Sequence, residues 1–182
     1  NNRERAAELG RDGIMGEERY QSMTARLRAL EPAYDAHDKG RKAMGEGNFD
    51  AALAKAEEAI ALEDREALFH SLKGDALASA ERYREAERAY DRAVALHDGW
   101  YYHRLRRGMV RAELDERRGA REDLEASLAL LPTGQGHYYL GVVERASGNR
   151  QEAIEQFKIA AQAQGDIGDR ARQALSDMGV SS

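Results

Sequence analysis

One pattern recurs four times along the chain, at intervals of 34, 34 and 33 residues, and it constrains the fold more than any other feature. Each copy starts with a glycine, and small residues follow twelve and nineteen positions later. The residues are Gly40, Gly74, Gly108 and Gly141, then Ala52, Ala86, Ala120 and Ala153, then Ala59, Ala93, Ser127 and Ala160. Because two antiparallel helices approach closely only where side chains are small, each copy predicts a helical hairpin.

The composition agrees with a helical chain and excludes several classes of function. The 182 residues are 42% hydrophobic and 34% charged, with 17 Gly and only 2 Pro. The absence of Cys excludes disulfides, thiol catalysis and cysteine-ligated zinc. A net charge of −5 does not favour nucleic acid as a partner. Membrane insertion is not expected either, because no apolar run approaches the roughly 18–20 residues that a membrane helix needs.

A period near 34 with this order of small residues resembles the tetratricopeptide (TPR) repeat family. The resemblance implies an all-α fold, a right-handed α-solenoid of antiparallel helix pairs with flanking capping helices. The expected order along the chain is a non-repeat loop and helix at 1–32, repeats at 33–66, 67–100, 101–133 and 134–167, and a capping helix and tail at 168–182.

The local pattern predicts where helices end and what lies between them. Turns are expected at 45–50, 80–85, 115–120 and 147–152. Three of these turns carry a turn-forming residue, namely Gly47, Asp115 and Gly148. A large side chain should fill the space beside the small residues in three repeats, at Tyr90, Leu124 and Phe157, with Ala56 as the small exception.

Both ends of the chain predict further helices. A helix is expected over 17–30, with Tyr20, Met23, Leu27 and Leu30 on one face. Pro32 is expected to end that helix, and the glycines at 10, 13 and 16 indicate a loop before it. At the other end, Asp169 can cap a last helix that runs through Met178, with Ala171, Leu175 and Met178 facing inward.

No catalytic or metal-binding motif is visible in the sequence. The five histidines contain no His-Glu-x-x-His motif and no helical pair four residues apart. His70 and His137 occupy the same repeat position two units apart, too far to share a metal ion. No Ser-His-Asp set can be nominated. We therefore expect no enzyme activity and no cofactor in this chain.

The segment 100–111 interleaves aromatic residues with four arginines, a pattern that also suits single-stranded nucleic acid. A surface of ion pairs is the better interpretation, because the whole chain is acidic. Arg104, Arg107 and Arg111 share one helix face, and the acidic partners expected for them are Asp115 and Glu122.

In the TPR family, residues 2, 5, 9 and 12 of each repeat line a concave surface, which implies a peptide-binding groove. The corresponding residues are Tyr34, His37, Arg41 and Met44, then Leu68, Ser71, Asp75 and Ala78, then Tyr102, Leu105, Met109 and Ala112, then Gln135, Tyr138, Val142 and Arg145. Tyr, Met and Arg are enriched in protein interfaces. The expected partner is a protein or peptide segment, or an adjacent domain of the same protein. Packing against the terminal helices is an equal alternative for Tyr34 and Tyr138.

Chaperone-binding members of the family hold a C-terminal carboxylate with a clamp of Lys, Asn and Arg side chains. The matching positions here are His37, Arg41, Leu72, Tyr102 and Arg106. Because only one or two of these can serve in a clamp, the resemblance does not predict binding of an acidic chaperone tail. An apolar segment or a neighbouring domain is the expected ligand.

A narrower resemblance covers residues 16–20 (GEERY), 32–44 (PAYDAHDKGRKAM) and 66–77 (EALFHSLKGDAL). These stretches are similar to the C-terminal TPR region of bacterial M48-type zinc-dependent peptidases. The resemblance implies a non-catalytic accessory domain in the periplasm or at the cell envelope. Zinc would then belong to an upstream domain. The alternatives are a free-standing TPR adaptor or assembly factor, for which the cytoplasm is expected, and, more weakly, a nucleic-acid-binding protein.

Overall fold

The computed structural model describes residues 17–180, and all the regular elements in this range are α-helices. The nine helices are α1 (Glu17–Gly45), α2 (Phe49–Leu62), α3 (Ala67–Ser79), α4 (Tyr83–Leu96), α5 (Tyr101–Glu113), α6 (Arg117–Leu130), α7 (Gly134–Ala146), α8 (Arg150–Ala160) and α9 (Asp166–Asp177). None of these helices is long and apolar enough to cross a membrane.

The helices pack as four consecutive antiparallel pairs, each with an A helix followed by a B helix. The A helices are α1, α3, α5 and α7, and the B helices are α2, α4, α6 and α8. Each A helix also contacts the next A helix, whereas no two B helices of the described chain contact each other. The A helices therefore line the inner, concave surface. This arrangement confirms the predicted all-α TPR solenoid, and α9 covers its last pair.

Close approach within a pair depends on the repeated glycine, as the sequence predicts. The large residues Tyr90, Leu124 and Phe157 are fully buried against the glycines of α3, α5 and α7. The first pair differs, since Ala56 is too small to fill the equivalent space. There Leu72 of α3 fills it, and a Cβ atom built on Gly40 would lie 2.7 Å from Cδ2 of Leu72.

The turns between paired helices lie where the sequence predicts them, and one residue of each turn has a positive φ angle. These residues are Gly47, Glu81, Asp115 and Gly148, with φ angles of 73°, 59°, 60° and 83°. In the second turn the amide of Arg82 then donates a hydrogen bond to the carbonyl of Leu77 at 2.9 Å, which closes the end of α3. Glu81 was not singled out from the sequence, because glutamate is not a typical residue for this conformation.

The prediction that Pro32 ends the first helix is wrong, because α1 continues through it to Gly45. A proline removes one backbone donor, and here its own side chain is exposed. Burial of Ala33 and Ala36 immediately after it fixes the following turn of helix against Phe69. Tertiary packing thus outweighs the local cost of the proline. Leu27, on the predicted apolar face of this helix, is 61% exposed.

The last helix begins earlier than predicted, at Asp166, and Gly165 precedes it with a φ angle of 76°. The proposed cap, Asp169, therefore lies in the first turn, where its carboxylate accepts a hydrogen bond from Arg172 at 2.6 Å. The inward face is confirmed, because the side chains of Ala171, Leu175 and Met178 are buried. The predicted loop with glycines at 10, 13 and 16 lies outside the described residues.

Candidate functional site

The structure divides the predicted groove positions into exposed and buried sets. The fifth residue of the first three repeats is buried, and these residues are His37, Ser71 and Leu105. Each of them packs towards the next A helix, where it has little surface to offer a ligand. The ring of His37 lies 5.5 Å from that of Phe69, and Leu105 joins a core cluster with Leu140. The expectation that these three residues line an open groove is therefore corrected.

Ser71 and His103 form the contact between α3 and α5. The Oγ atom of Ser71 lies 2.5 Å from Nδ1 of His103. His103 is fully buried, and this burial lowers its pKa to about 4, with a further contribution from nearby His97. The imidazole is therefore neutral at physiological pH and acts as part of the core.

Tyr34 and Tyr138, for which packing against the terminal helices was an equal alternative to lining the groove, have different environments. Tyr138 packs against Phe157, with ring centroids 5.7 Å apart, and the guanidinium of Arg170 in α9 lies 4.6 Å from its ring centroid. Tyr138 therefore packs against the terminal helix. Tyr34 is exposed, and its hydroxyl donates a hydrogen bond to Glu66 at 2.7 Å. This bond raises the pKa of Tyr34 to about 12.

The remaining predicted groove residues keep some surface on the A helices. Arg41 and Arg145 are exposed at the two ends of the row. Partly exposed are Met44, Leu68, Asp75, Ala78, Tyr102, Met109, Ala112, Gln135 and Val142. The middle of the concave surface thus combines apolar side chains with the phenol of Tyr102, the amide of Gln135 and the acidic group of Asp75.

Asp75 holds three neighbouring side chains together. Its carboxylate accepts hydrogen bonds from the hydroxyls of Tyr90 at 2.6 Å and Tyr102 at 2.8 Å, and from Nε of Arg106 at 2.7 Å. Burial, followed by the charge of Asp75, raises the pKa of both tyrosines, so both stay protonated and donate. Arg106 is an ion-pair partner of Asp75, and its charge is neutralised inside the protein.

A depression of about 170 Å³, which we call the Met109 pocket, lies beside this cluster. Its lining includes Ala78, Tyr83, Arg106, Met109, Glu113 and Tyr139. Ala78 and Met109 were predicted groove residues, whereas Tyr83, Glu113 and Tyr139 were missed. Tyr139 could have been found, because it follows Arg106 by 33 residues and so holds the same repeat position.

The positions that match a carboxylate clamp do not assemble one. His37 and Leu72 are buried, and Tyr102 and Arg106 are bonded to Asp75. Arg41 alone among the five positions is exposed, and within residues 17–180 it forms no hydrogen bond or ion pair through its side chain. The residues present therefore do not provide the convergent donors that a terminal carboxylate needs.

The arginines of the segment 100–111 form ion pairs, but with partners other than those predicted. Nη2 of Arg107 lies 2.6 Å from Asp123, and Nη1 of Arg111 lies 2.8 Å from it. Asp123 is 2% exposed, and Arg104 approaches it at 3.7 Å. The fourth arginine, Arg106, pairs with Asp75. All four arginines of the pattern that suggested nucleic-acid binding therefore form ion pairs within the protein.

The two acidic residues that were predicted as partners pair elsewhere. Asp115 lies 2.6 Å from Nε of Arg117, and Glu122 lies 3.9 Å from Nε of Arg118. The prediction failed because it considered only acidic residues that follow α5 closely in sequence, Asp115 in the next turn and Glu122 on α6. The actual partners of the arginines come from α4 and α6, which flank α5 on both sides.

The two histidines that share a repeat position form hydrogen bonds within the protein. Nε2 of His70 lies 2.8 Å from the carbonyl oxygen of Asp64, and Nδ1 of His137 lies 2.8 Å from Oε1 of Gln156. Within residues 17–180, no group of three or more His, Asp or Glu side chains is arranged to hold a metal ion.

Comparison with known proteins supports the repeat assignment. The family model described as tetratricopeptide repeat matches residues 37–99 and 105–175, which is well over half of the chain. No curated protein matches the chain.

Solved structures with the same fold include MamA, with a TM-score of 0.67 and 19% identity over 91% of this chain and 95% of that one. The first TPR of Spaghetti (RPAP3) bound to the HSP90 peptide SRMEEVD has a TM-score of 0.63 and 23% identity, over 65% of this chain and 97% of that one. The second TPR domain of human RPAP3 was solved in complex with the HSP70 peptide SGPTIEEVD. It has a TM-score of 0.61 and 26% identity, over 64% of this chain and 98% of that one.

Proposed function

Since this chain belongs to the tetratricopeptide repeat family, we propose that it is a non-catalytic module that binds a protein segment on the concave surface of its A helices. The observation that carries the proposal is the Met109 pocket, an open depression on that surface whose lining combines apolar and aromatic side chains with the charged groups of Arg106 and Glu113. That the second TPR domain of human RPAP3 was solved with a peptide adds support.

The chemistry of the pocket suits a side chain of a bound polypeptide. Met109 is a flexible, polarisable side chain, and Tyr83 and Tyr139 present amphipathic rings. Residues of these types supply much of the binding energy in protein interfaces, because they bury large areas at low entropic cost. The pocket is held in shape by α3, α4, α5 and α7, which are packed against one another.

The proposal is tested by filling the pocket. Ala78 is partly exposed on its wall, and Ala78→Phe would place a ring where the ligand side chain is expected. Random peptides displayed on phage are selected on the full chain, and the affinity of selected peptides is measured by fluorescence polarisation. We expect Ala78→Phe to reduce affinity by about tenfold or more, the equivalent of roughly 1.4 kcal/mol.

Ala95→Phe is the matched control, because Ala95 is exposed on the B helix α4 and does not line the pocket. This variant should bind as the unmodified chain does, and circular dichroism melts should show both variants folded. Equal affinity of Ala78→Phe and the unmodified chain would contradict a binding site at the pocket. Failure to select any peptide would contradict the proposed function itself.

A finer proposal is that this module is the accessory domain of an M48-type zinc-dependent peptidase. It rests on residues 16–20, 32–44 and 66–77 alone. Sequencing the gene upstream of the first codon tests it. A reading frame that encodes a His-Glu-x-x-His helix is expected, with zinc bound in that domain. A start codon close to the first residue, without such a domain, would instead favour a free-standing adaptor.

A further inference from the structure

We infer that the Met109 pocket selects internal protein segments in which one large apolar side chain is accompanied by a lysine or arginine, and that Glu113 and Glu81 determine the preference for the cation. This inference rests on the proposed function, and it specifies the class of ligand that the site takes.

The pocket has room for a single large side chain. Its volume of about 170 Å³ is close to the roughly 150 Å³ of an engineered apolar protein cavity that accepts benzene. Met109 and Val110 form the apolar part of the lining, and Tyr139 contributes an aromatic ring. An aromatic, leucine or methionine side chain fits this space and these walls, whereas a small or polar side chain would leave the walls uncovered.

Arg106, the cation that lines the pocket, is already paired. Its Nε atom donates to Asp75 at 2.7 Å, and its side chain is mostly buried. The hydroxyls of Tyr90 and Tyr102 also donate to Asp75, so this carboxylate is held in place by three donors. Recruiting Arg106 to a ligand carboxylate would leave Asp75 without its ionic partner in a buried site, which is costly.

Two carboxylates near the mouth are free of such pairing. Glu113 lines the pocket and is exposed, and Glu81 is exposed in the turn before Tyr83. Neither has an ion-pair partner among residues 17–180. Both influence Tyr83, because its pKa is raised first by burial and then by the charges of Glu113 and Glu81. The mouth of the pocket therefore carries uncompensated negative charge.

This charge distribution determines which segments can bind well. A ligand lysine or arginine beside the apolar side chain would pair with Glu113 or Glu81, a gain of about two- to fivefold in affinity for each exposed pair. A terminal carboxylate or an acidic tail would be repelled at the same place. The site therefore differs in charge preference from one that captures acidic C-termini.

The experiment uses the full chain and two phage libraries of random peptides. One library displays internal segments, and the other displays peptides with a free C-terminus. Selected peptides are synthesised with a free C-terminus and with a C-terminal amide, and each lysine is replaced in turn by norleucine. Affinities are measured for the unmodified chain and for the double variant Glu81→Gln/Glu113→Gln. Glu125→Gln is the control, because Glu125 is an exposed glutamate on α6 outside the pocket.

We expect enrichment of a large apolar residue near a lysine or arginine, and affinities that do not change on amidation. The double variant should lose about two- to fivefold in affinity for each lysine that pairs and almost nothing for the norleucine versions. Enrichment of acidic C-termini, affinity that depends on a free carboxylate, or equal losses for lysine and norleucine peptides would overturn the inference while leaving peptide binding intact. Absence of any enriched peptide would overturn the proposed function as well.

Discussion

A Cβ atom built on Gly74 would lie 2.7 Å from Cε1 of Tyr90, closer than folded proteins tolerate between such atoms. Tyr90 is fully buried, and its hydroxyl is fixed by a hydrogen bond to Asp75. The ring therefore has little freedom to move away. The same relationship holds in the next two pairs, where the large residue is leucine or phenylalanine. Helix spacing within these three pairs is thus set by one missing methyl group.

We therefore expect Gly74→Ala to destabilise the protein, although alanine is the better helix former. Overpacking a rigid core costs about 1–3 kcal/mol, more than the roughly 0.5–1 kcal/mol that alanine gains over glycine in a helix. Urea unfolding monitored by circular dichroism measures the difference. Gly45→Ala is the control, because nothing lies within 4 Å of a Cβ atom there. A Gly74→Ala variant as stable as the unmodified chain would show that the contact is not tight.

The positive φ angle of Glu81 predicts a stabilising substitution. A non-glycine residue in the left-handed region costs about 1–2 kcal/mol, and Glu81 adopts a φ angle of 59°. Glu81→Gly should therefore raise the free energy of unfolding by about 1 kcal/mol, and a thermal melt measures the gain. Gly148→Ala, at the equivalent turn with a φ angle of 83°, should lower stability. If both substitutions changed stability in the same direction, the left-handed conformation would not be what determines stability at these two turns.

His103 makes stability depend on pH. Its folded pKa of about 4 lies below the ordinary value of about 6.5, so the unfolded chain takes up the proton first on acidification. The stability that the neutral imidazole contributes is fully present above about pH 6.5. It is lost as the pH falls from there through about 4.

The test compares melting temperatures of the unmodified chain and of His103→Asn between about pH 7 and pH 4. Asparagine does not titrate, and its side-chain oxygen can accept a hydrogen bond from Ser71. The unmodified chain should lose more of its melting temperature over this range than the variant. Parallel losses would indicate that groups other than His103 account for acid unfolding.

Removing the charge of Asp75 should change both stability and ligand preference. Asp75→Asn leaves Arg106 without its ionic partner, and loss of a hydrogen bond to a charged group costs about 1.5–3 kcal/mol. The released guanidinium can then meet a ligand carboxylate. We expect the peptide SGPTIEEVD to bind this variant more tightly than the unmodified chain. Calorimetry at a temperature where both are folded checks this, and equal binding would show that Asp75 does not mask Arg106.

The spacing of small residues in the sequence was sufficient to predict the repeat fold, the turns and the contacts of Tyr90, Leu124 and Phe157. These features depend on residues within one repeat, where helix periodicity and side-chain size decide the geometry. The prediction that Pro32 ends a helix failed because Ala33 is buried in a cluster with Ala59 of α2 and Phe69 of the next repeat.

The candidate site shows the same division between features that one repeat predicts and features that depend on neighbouring repeats. The resemblance to the TPR family placed the predicted groove on the A helices, and Ala78, Met109 and Tyr102 lie partly exposed on these helices. That Ser71 and Leu105 are buried, and that Arg106 is neutralised, could not be predicted from one repeat at a time.

The sequence by itself therefore determined the repeat and the pairing of helices, because these follow from local periodicity and steric size. The surface on which a ligand is expected came from the resemblance to the TPR family. Tertiary structure alone decided which side chains remain available on that surface. Contacts such as that between Asp75 and Arg106, 31 residues apart, form only when successive A helices pack side by side. Burial and charge compensation at those contacts are properties of the stacked solenoid.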